Sequence, residues 1–331
     1  MLPRRVLLSA SGVVVLVLLV GGGRGAWAGP GPLLYASTGD ANSNGGGRLY
    51  TIDPVAQTVT LIGNTGLSRL GALAFDGNRV LYGADGGSSG PSFLYTINSS
   101  NGTATFIGAL SGIQGVDALA FDAGGTLYGG GWDGNTGRLL TINPANANIL
   151  SNIVMSGSGN SFVPGLAFSA TNQLFGSRGN ASERTEDLIR IDLTTGQHTP
   201  IGVATNVISD IWFDAAAGTL YGGSPTGDLF IMDPLTGGKT LLFNTGIRIA
   251  GLTGLSGTVV IDGCDSGVFN AVFPGGGTIS DLIVACAEGA RNHGKFVSCV
   301  SQLTNQLKKV GIITGQQKGA IQSCATQANI P

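Results

Sequence analysis

Short apolar runs recur along the middle of the chain, each closed by Gly, Pro, Asn, Asp or Ser. Leu73-Ala-Phe-Asp76 returns as Leu119-Ala-Phe-Asp122, Leu166-Ala-Phe-Ser169 and Ile211-Trp-Phe-Asp214, at spacings of 46, 47 and 45 residues. A second run follows each: Leu81-Tyr-Gly83, Leu127-Tyr-Gly129, Leu174-Phe-Gly176 and Leu220-Tyr-Gly222. The third begins at Leu49, Leu94, Leu139, Leu188 and Leu229, as in Leu49-Tyr-Thr-Ile-Asp53. The fourth is Thr60-Leu-Ile-Gly63, Thr105-Phe-Ile-Gly108 and Thr199-Pro-Ile-Gly202, degraded at Ile149-Leu150 and Thr240-Leu241. Runs rich in β-branched and aromatic residues and bounded by turn formers read as strands. We label the four strands of each unit A to D.

The links between them carry turn chemistry. Asp76-Gly77-Asn78 between A and B suits a hairpin, because Gly and Asn accept positive φ at little cost. Asp53-Pro54 and Asn143-Pro144 between C and D suit type I turns. Four strands per unit is the content of one propeller blade. The chain opens on Leu34-Tyr35-Ala36, a B strand without its A. It closes on Gly251-Leu-Thr-Gly-Leu255, an A strand without its B. Joining the two completes a ring and removes the open sheet edges that a linear array would leave. The prediction is an all-β, five-bladed β-propeller of four-stranded blades over 29–256, closed by the last A strand.

The rest of the chain changes character. Ile279 to Ala290 shows helical periodicity, and Phe296, Val300, Leu303, Leu307 and Val310 continue it on a second helix. Thr314-Gly-Gln-Gln317 reads as a capping box opening a third. This predicts a linker over 257–278 and a small disulfide-bonded three-helix C-terminal module over 279–331. All four cysteines, Cys264, Cys286, Cys299 and Cys324, fall here. Spacing does not decide their connectivity. Cys299–Cys324 with Cys264–Cys286 is the expected pairing, and spacings of 22, 13 and 25 residues fit no zinc pattern. At the other end, Arg4 and Arg5, an apolar run from Val6 to Val20 and Ala26-Trp27-Ala28 read as a signal peptide over 1–28. Together these predict a secreted or periplasmic protein.

Composition narrows the chemistry. Glycine supplies 57 of 331 residues and charged side chains only 11%, with 42% hydrophobic, so the chain is globular rather than disordered. Between Gly29 and Ser256 there are 15 acidic and 9 basic side chains, a net of −6. No basic patch suits a phosphate backbone, which excludes nucleic acid as a partner class.

The repeats resemble the secreted bacterial propellers of the NHL, SMP-30/gluconolactonase-like and YVTN types, on the pattern L-A-F-D-x-x-G-x-L-Y-G followed by L-Y-T-I-D-P. The resemblance covers about two-thirds of the chain and implies architecture more than chemistry, since such folds host hydrolases, lectins and plain binding modules. It also implies that a Ca2+-dependent lactone or ester hydrolase would bring Glu, Asn and Asp together on the channel. The only propeller glutamates here are Glu183 and Glu186, in one loop.

The short A–B and C–D links share one face, and the longer, variable B–C and D–A links share the other. Variable loops on a rigid scaffold are where ligands usually sit. The candidate ligand-binding residues on that face are Asp40, Asp85, Trp132, Asp133, Arg178 and Asp228 in B–C links, with Arg69, Asp117, Asp210 and Arg248 near the starts of A strands. Isolated loop carboxylates more often cap turns than bind ligands, so any one of these is weak on its own. Carboxylates and carbonyls would suit Ca2+, and Trp132 beside Asp133 would stack on a sugar. No catalytic residue is assigned: His198 and His293 lie in different regions, and no nucleophile–base set can be assembled. The expectation is a monomeric, non-catalytic scaffold that binds a protein or carbohydrate ligand, with no resident cofactor. The alternatives are the Ca2+-dependent hydrolase and a lectin-like binder with similar pockets around the ring.

Overall fold

The computed structural model describes residues 32–39, 46–86, 90–157, 162–180, 185–204, 207–215, 217–255, 257–271 and 278–330. The predicted signal peptide lies outside them. The chain divides into two compact units, 32–255 and 256–331.

The first unit contains β1 (Leu33–Ser37), β2 (Arg48–Asp53) and β3 (Thr58–Asn64), then β4 (Ala72–Phe75), β5 (Leu81–Ala84), β6 (Ser92–Ile97) and β7 (Ala104–Leu110). There follow β8 (Gly115–Phe121), β9 (Leu127–Trp132), β10 (Gly137–Ile142) and β11 (Ile149–Val154), and β12 (Gly165–Phe168), β13 (Leu174–Asn180), β14 (Thr185–Ile191) and β15 (His198–Ala204). Last come β16 (Asp210–Asp214), β17 (Thr219–Gly223), β18 (Asp228–Met232), β19 (Lys239–Asn244) and β20 (Gly251–Leu255). They form five antiparallel four-stranded sheets in a propeller ring, and the first has the order β20-β1-β2-β3. The ring is therefore closed as expected, with Leu33 opposite Leu255 and Ser37 opposite Gly251.

The repeat motifs turn out to be the two sides of each blade interface. Five buried apolar clusters lie one between each pair of neighbouring blades. The aromatic residue of each B strand meets the phenylalanine of the next blade's A strand: Tyr35 with Phe75, Tyr82 with Phe121, Tyr128 with Phe168, Phe175 with Phe213. At the seam, where Gly254 stands in the phenylalanine's place, Trp212 stacks on Tyr221 at 5.9 Å instead, its ring in the space a side chain at Gly254 would need. The glycine ending the fourth motif has a steric cause. A Cβ on Gly108 would lie 2.7 Å from the carbonyl oxygen of Asn146, in the C–D turn of the next blade, and Gly63 and Gly202 meet Asn101 and Thr236 in the same way. That glycine lets successive blades approach backbone to backbone.

In the second unit, β21 (Thr258–Ile261) and β22 (Cys264–Phe269) form a hairpin where a linker was expected. Three helices follow, α1 (Ile279–Gly289), α2 (His293–Lys309) and α3 (Gly315–Gln327). Thr278 with Asp281 and Thr314 with Gln317 make capping boxes, and Asn292 caps α2. Val259, Ile261, Ile283, Phe296, Val300 and Ile321 fill the core. The disulfides are Cys264–Cys324 and Cys286–Cys299, not the expected pairing. The hairpin explains the difference: β22 packs on α3 and delivers Cys264 to Cys324. That leaves Cys286 and Cys299 facing each other across the α1–α2 turn.

Candidate functional site

The inner strand of each blade starts on the variable-loop face, at the mouth of the channel. Four of these strands pair regularly with their B strands, but β8 does not. Gly115 and Val116 face Trp132 and Gly131, and pairing resumes at Ala118 with Gly130. Asp117 is the extra residue of a β-bulge, a device that re-aims a side chain. Its carboxylate lies against glycine backbone. A Cβ on Gly71 would sit 3.2 Å from Oδ1, and one on Gly86 would collide with it. No described donor is hydrogen-bonded to this carboxylate. Burial raises its pKa above the ordinary carboxylate value, and nearby Asp85 adds to that while Arg69 opposes it.

Asp85 follows β5. Its Oδ1 accepts from the Phe93 amide at 2.7 Å, and the Tyr95 hydroxyl also bonds to it. Burial nevertheless raises its pKa, against those bonds and the Arg69 guanidinium. Asp210, at the start of β16, is fully buried. Its Oδ1 accepts from the Ile211 amide at 2.8 Å and its Oδ2 from Leu252 at 2.7 Å. Burial drives its pKa well upward, the Leu252, Ile211 and Leu166 amides oppose this, and Asp117 adds to it. Arg69, Asp85, Asp117 and Asp210 thus share one electrostatic environment.

The other candidates do not join it. Asp133 caps its own turn, accepting from Asn135 and Thr136 amides at 2.8 and 2.7 Å, and pairs with Arg138. The Thr136 amide, then Arg138, hold its pKa far below the usual range. Trp132 packs edge-on to Phe162 at 6.5 Å. Arg178 is buried, 3.3 Å from His198 Nε2. Asp228 accepts from Asn244 Nδ2 at 2.7 Å and Thr226 Oγ1 at 3.0 Å. Arg248 is exposed, and Asp40 lies outside the described residues. Sequence reasoning missed Tyr95, which occupies a position that is ordinary core in other blades. It also missed the glycine walls at Gly71 and Gly86. Among the described residues no three His, Cys, Asp or Glu side chains come close enough to hold a metal ion.

One consequence is testable. A carboxylate whose folded pKa is raised contributes stability below its unfolded pKa and loses it as pH rises through the folded value. Ionised Asp117 therefore costs stability at neutral pH. Asp117→Asn is expected to raise Tm by roughly 2 °C at pH 7, with the gain vanishing below the ordinary carboxylate pKa. A denaturation series over pH checks this, and an equal or lower Tm at pH 7 counts against it.

No family model matches the chain, and no curated protein matches it. Solved structures do. The chain is similar to one in the nidogen/laminin complex at 16% identity, over 67% of this chain and 97% of that one, with a TM-score of 0.44. It is similar to a gluconolactonase from Xanthomonas campestris at 13% identity, over 69% and 85%, with a TM-score of 0.44. It is also similar to the PQQ-bound aldose sugar dehydrogenase of Streptomyces coelicolor at 15% identity, over 62% and 78%, with a TM-score of 0.39.

Proposed function

We propose that this chain is an exported, non-catalytic binding module whose channel mouth takes a cationic group, the amine or guanidinium of a protein partner. The observation that carries this is Asp117. It is presented by a bulge, walled by glycine backbone and left without a hydrogen-bond donor. A half-buried carboxylate without a donor is poorly compensated for the water it has lost. An incoming ammonium supplies both the missing donor and the opposite charge, while Asp85 lies close enough to share it. Export is supported by the Arg4–Arg5 and apolar leader pattern and by two disulfides. No helix among the described residues is long and apolar enough to cross a membrane. The lectin reading expects similar pockets around the ring, whereas only β8 of the five inner strands is bulged against its B strand.

Titration with pentalysine tests the proposal, read by tryptophan emission, since Trp132 pairs with Gly115, two residues before Asp117. Saturable binding that weakens about tenfold in Asp117→Asn and falls with added salt is expected. Undiminished binding by that variant, or none by the wild type, overturns it. Asp85 also raises the proton affinity of Asp117, and Asp117 that of Asp210, which favours a lactone or ester hydrolase as the second reading. Gluconolactone hydrolysis that needs Ca2+ and disappears in Asp117→Asn would replace the first reading by the second.

A further inference from the structure

On the opposite face, which carries the short turns, a pocket of about 320 Å3 opens between the fourth and fifth blades. That volume falls at the lower end of small-molecule sites. Three departures from the repeat converge there. The B-strand tyrosine is Phe175, the A-strand aspartate is Ser169, and the third position of the Leu-Tyr-Thr-Ile-Asp motif is Arg190 rather than Thr51, Thr96, Thr141 or Ile231. In the second, third and fifth blades the tyrosine lies near the aspartate, whose charge adds to burial in raising the phenol's pKa: Tyr82 near Asp76, Tyr128 near Asp122, Tyr221 near Asp214. The fourth blade lacks both polar ends, and space opens where they would stand.

The lining is specific in its chemistry. Phe175 and Arg190 are direct cross-strand partners, so their side chains share a face. Phe175 and Phe213 lie parallel, at 6.2 Å and 6°, while the three other inter-blade pairs are inclined by 58° to 76°. Leu235 forms an apolar rim, 74% exposed. Arg190 is exposed and makes no ion pair among the described residues. The acids in the flanking turns are already engaged: Asp233 accepts from the Leu235 amide and Thr236 hydroxyl at 2.8 and 2.7 Å, and Asp192 from the Thr194 and Thr195 amides.

We propose that this pocket is a second binding site, for a small aromatic monocarboxylate, independent of the channel mouth. The ring lies against Phe175, Phe213 and Leu235, and the carboxylate takes two parallel hydrogen bonds from the Arg190 guanidinium. Neither the bulged strand nor any residue of the channel mouth contributes.

The full chain is titrated with 3-phenylpropanoate, followed by ligand-observed NMR, beside its uncharged amide. Two variants restore the pattern of the other blades and therefore keep a lining the fold already tolerates: Arg190→Thr, and Ser169→Asp with Phe175→Tyr. Saturable binding with a Kd of roughly 1 mM or tighter is expected. The amide and Arg190→Thr should each weaken it by about tenfold or more, and the double variant should abolish it. Absence of saturable binding to the wild type overturns the proposal. So does equal binding of the amide, or full retention by Arg190→Thr. Loss in Arg190→Thr with retention in the double variant would put the ligand on Arg190 outside the pocket, and overturns it too.

Discussion

Replacing Asp210 with alanine should lower the stability of the propeller by about 3 kcal/mol, or roughly 6–12 °C in Tm. The carboxylate has no solvent exposure, and its two oxygens accept from amides on two different inner strands. One of those strands is β20, the strand that closes the ring. Alanine leaves the Ile211 and Leu252 amides buried without this acceptor, and each unmade bond costs about 1–3 kcal/mol. The corresponding residues elsewhere are Ala72, Ala118, Gly165 and Gly251, so a small side chain fits the ring sterically and the loss would be one of hydrogen bonding. Asp210→Asn keeps one acceptor and should fall between. Thermal denaturation of the three proteins decides it, and a Tm for Asp210→Ala within about 2 °C of wild type would show that the carboxylate ties nothing together.

Removing Cys264–Cys324 should destabilise the C-terminal unit by about 4 kcal/mol, against about 3 kcal/mol for Cys286–Cys299. The first bridge closes 60 residues and the second 13, and the chain entropy withheld from the unfolded state grows with loop length. The longer bridge also ties the hairpin to α3, whereas the shorter one joins helices adjacent in sequence. Double serine variants of each pair, compared by urea denaturation, give the order directly. A larger loss from the Cys286→Ser/Cys299→Ser pair would reverse it and show that native packing, not loop entropy, dominates.

The propeller was legible because its repeats are constrained at many positions at once. The Leu-Tyr-Gly and Leu-Ala-Phe-Asp motifs recur because they meet across four of the five blade interfaces, and Thr-x-Ile-Gly because a neighbouring carbonyl excludes a Cβ. Turn residues were legible for the same reason: Asp76 and Asp122 each accept two backbone amides of their own hairpins. The disulfide pairing was not, since Cys264 reaches Cys324 through a hairpin only four and six residues long in its strands, too short for its alternation to stand out. The channel mouth was half legible. The repeat puts Arg69, Asp85, Asp117 and Asp210 in B–C links or near the starts of A strands, but their grouping depends on the bulge at Asp117, which carries no residue signature. Trp132, Asp133 and Arg178 were singled out by type, and type does not say that Asp133 would be consumed by its own turn. The second pocket could have been found as the blade where Tyr, Asp and Thr are replaced together.

The seam between β1 and β20 joins residues 222 positions apart in the chain, with Leu33 opposite Leu255. Because the two strands run antiparallel, the start of one and the end of the other emerge side by side. Tension applied through both ends of the ring would peel this pairing open bond by bond rather than shear it all at once. The same arrangement sets the order of events during synthesis. Four blades can assemble as they emerge, but the first must wait for its innermost strand, so ring closure is the last step of a slow, long-range search. A chain cut short before Gly251 would leave that first sheet with a bare inner edge, a template for pairing with other chains.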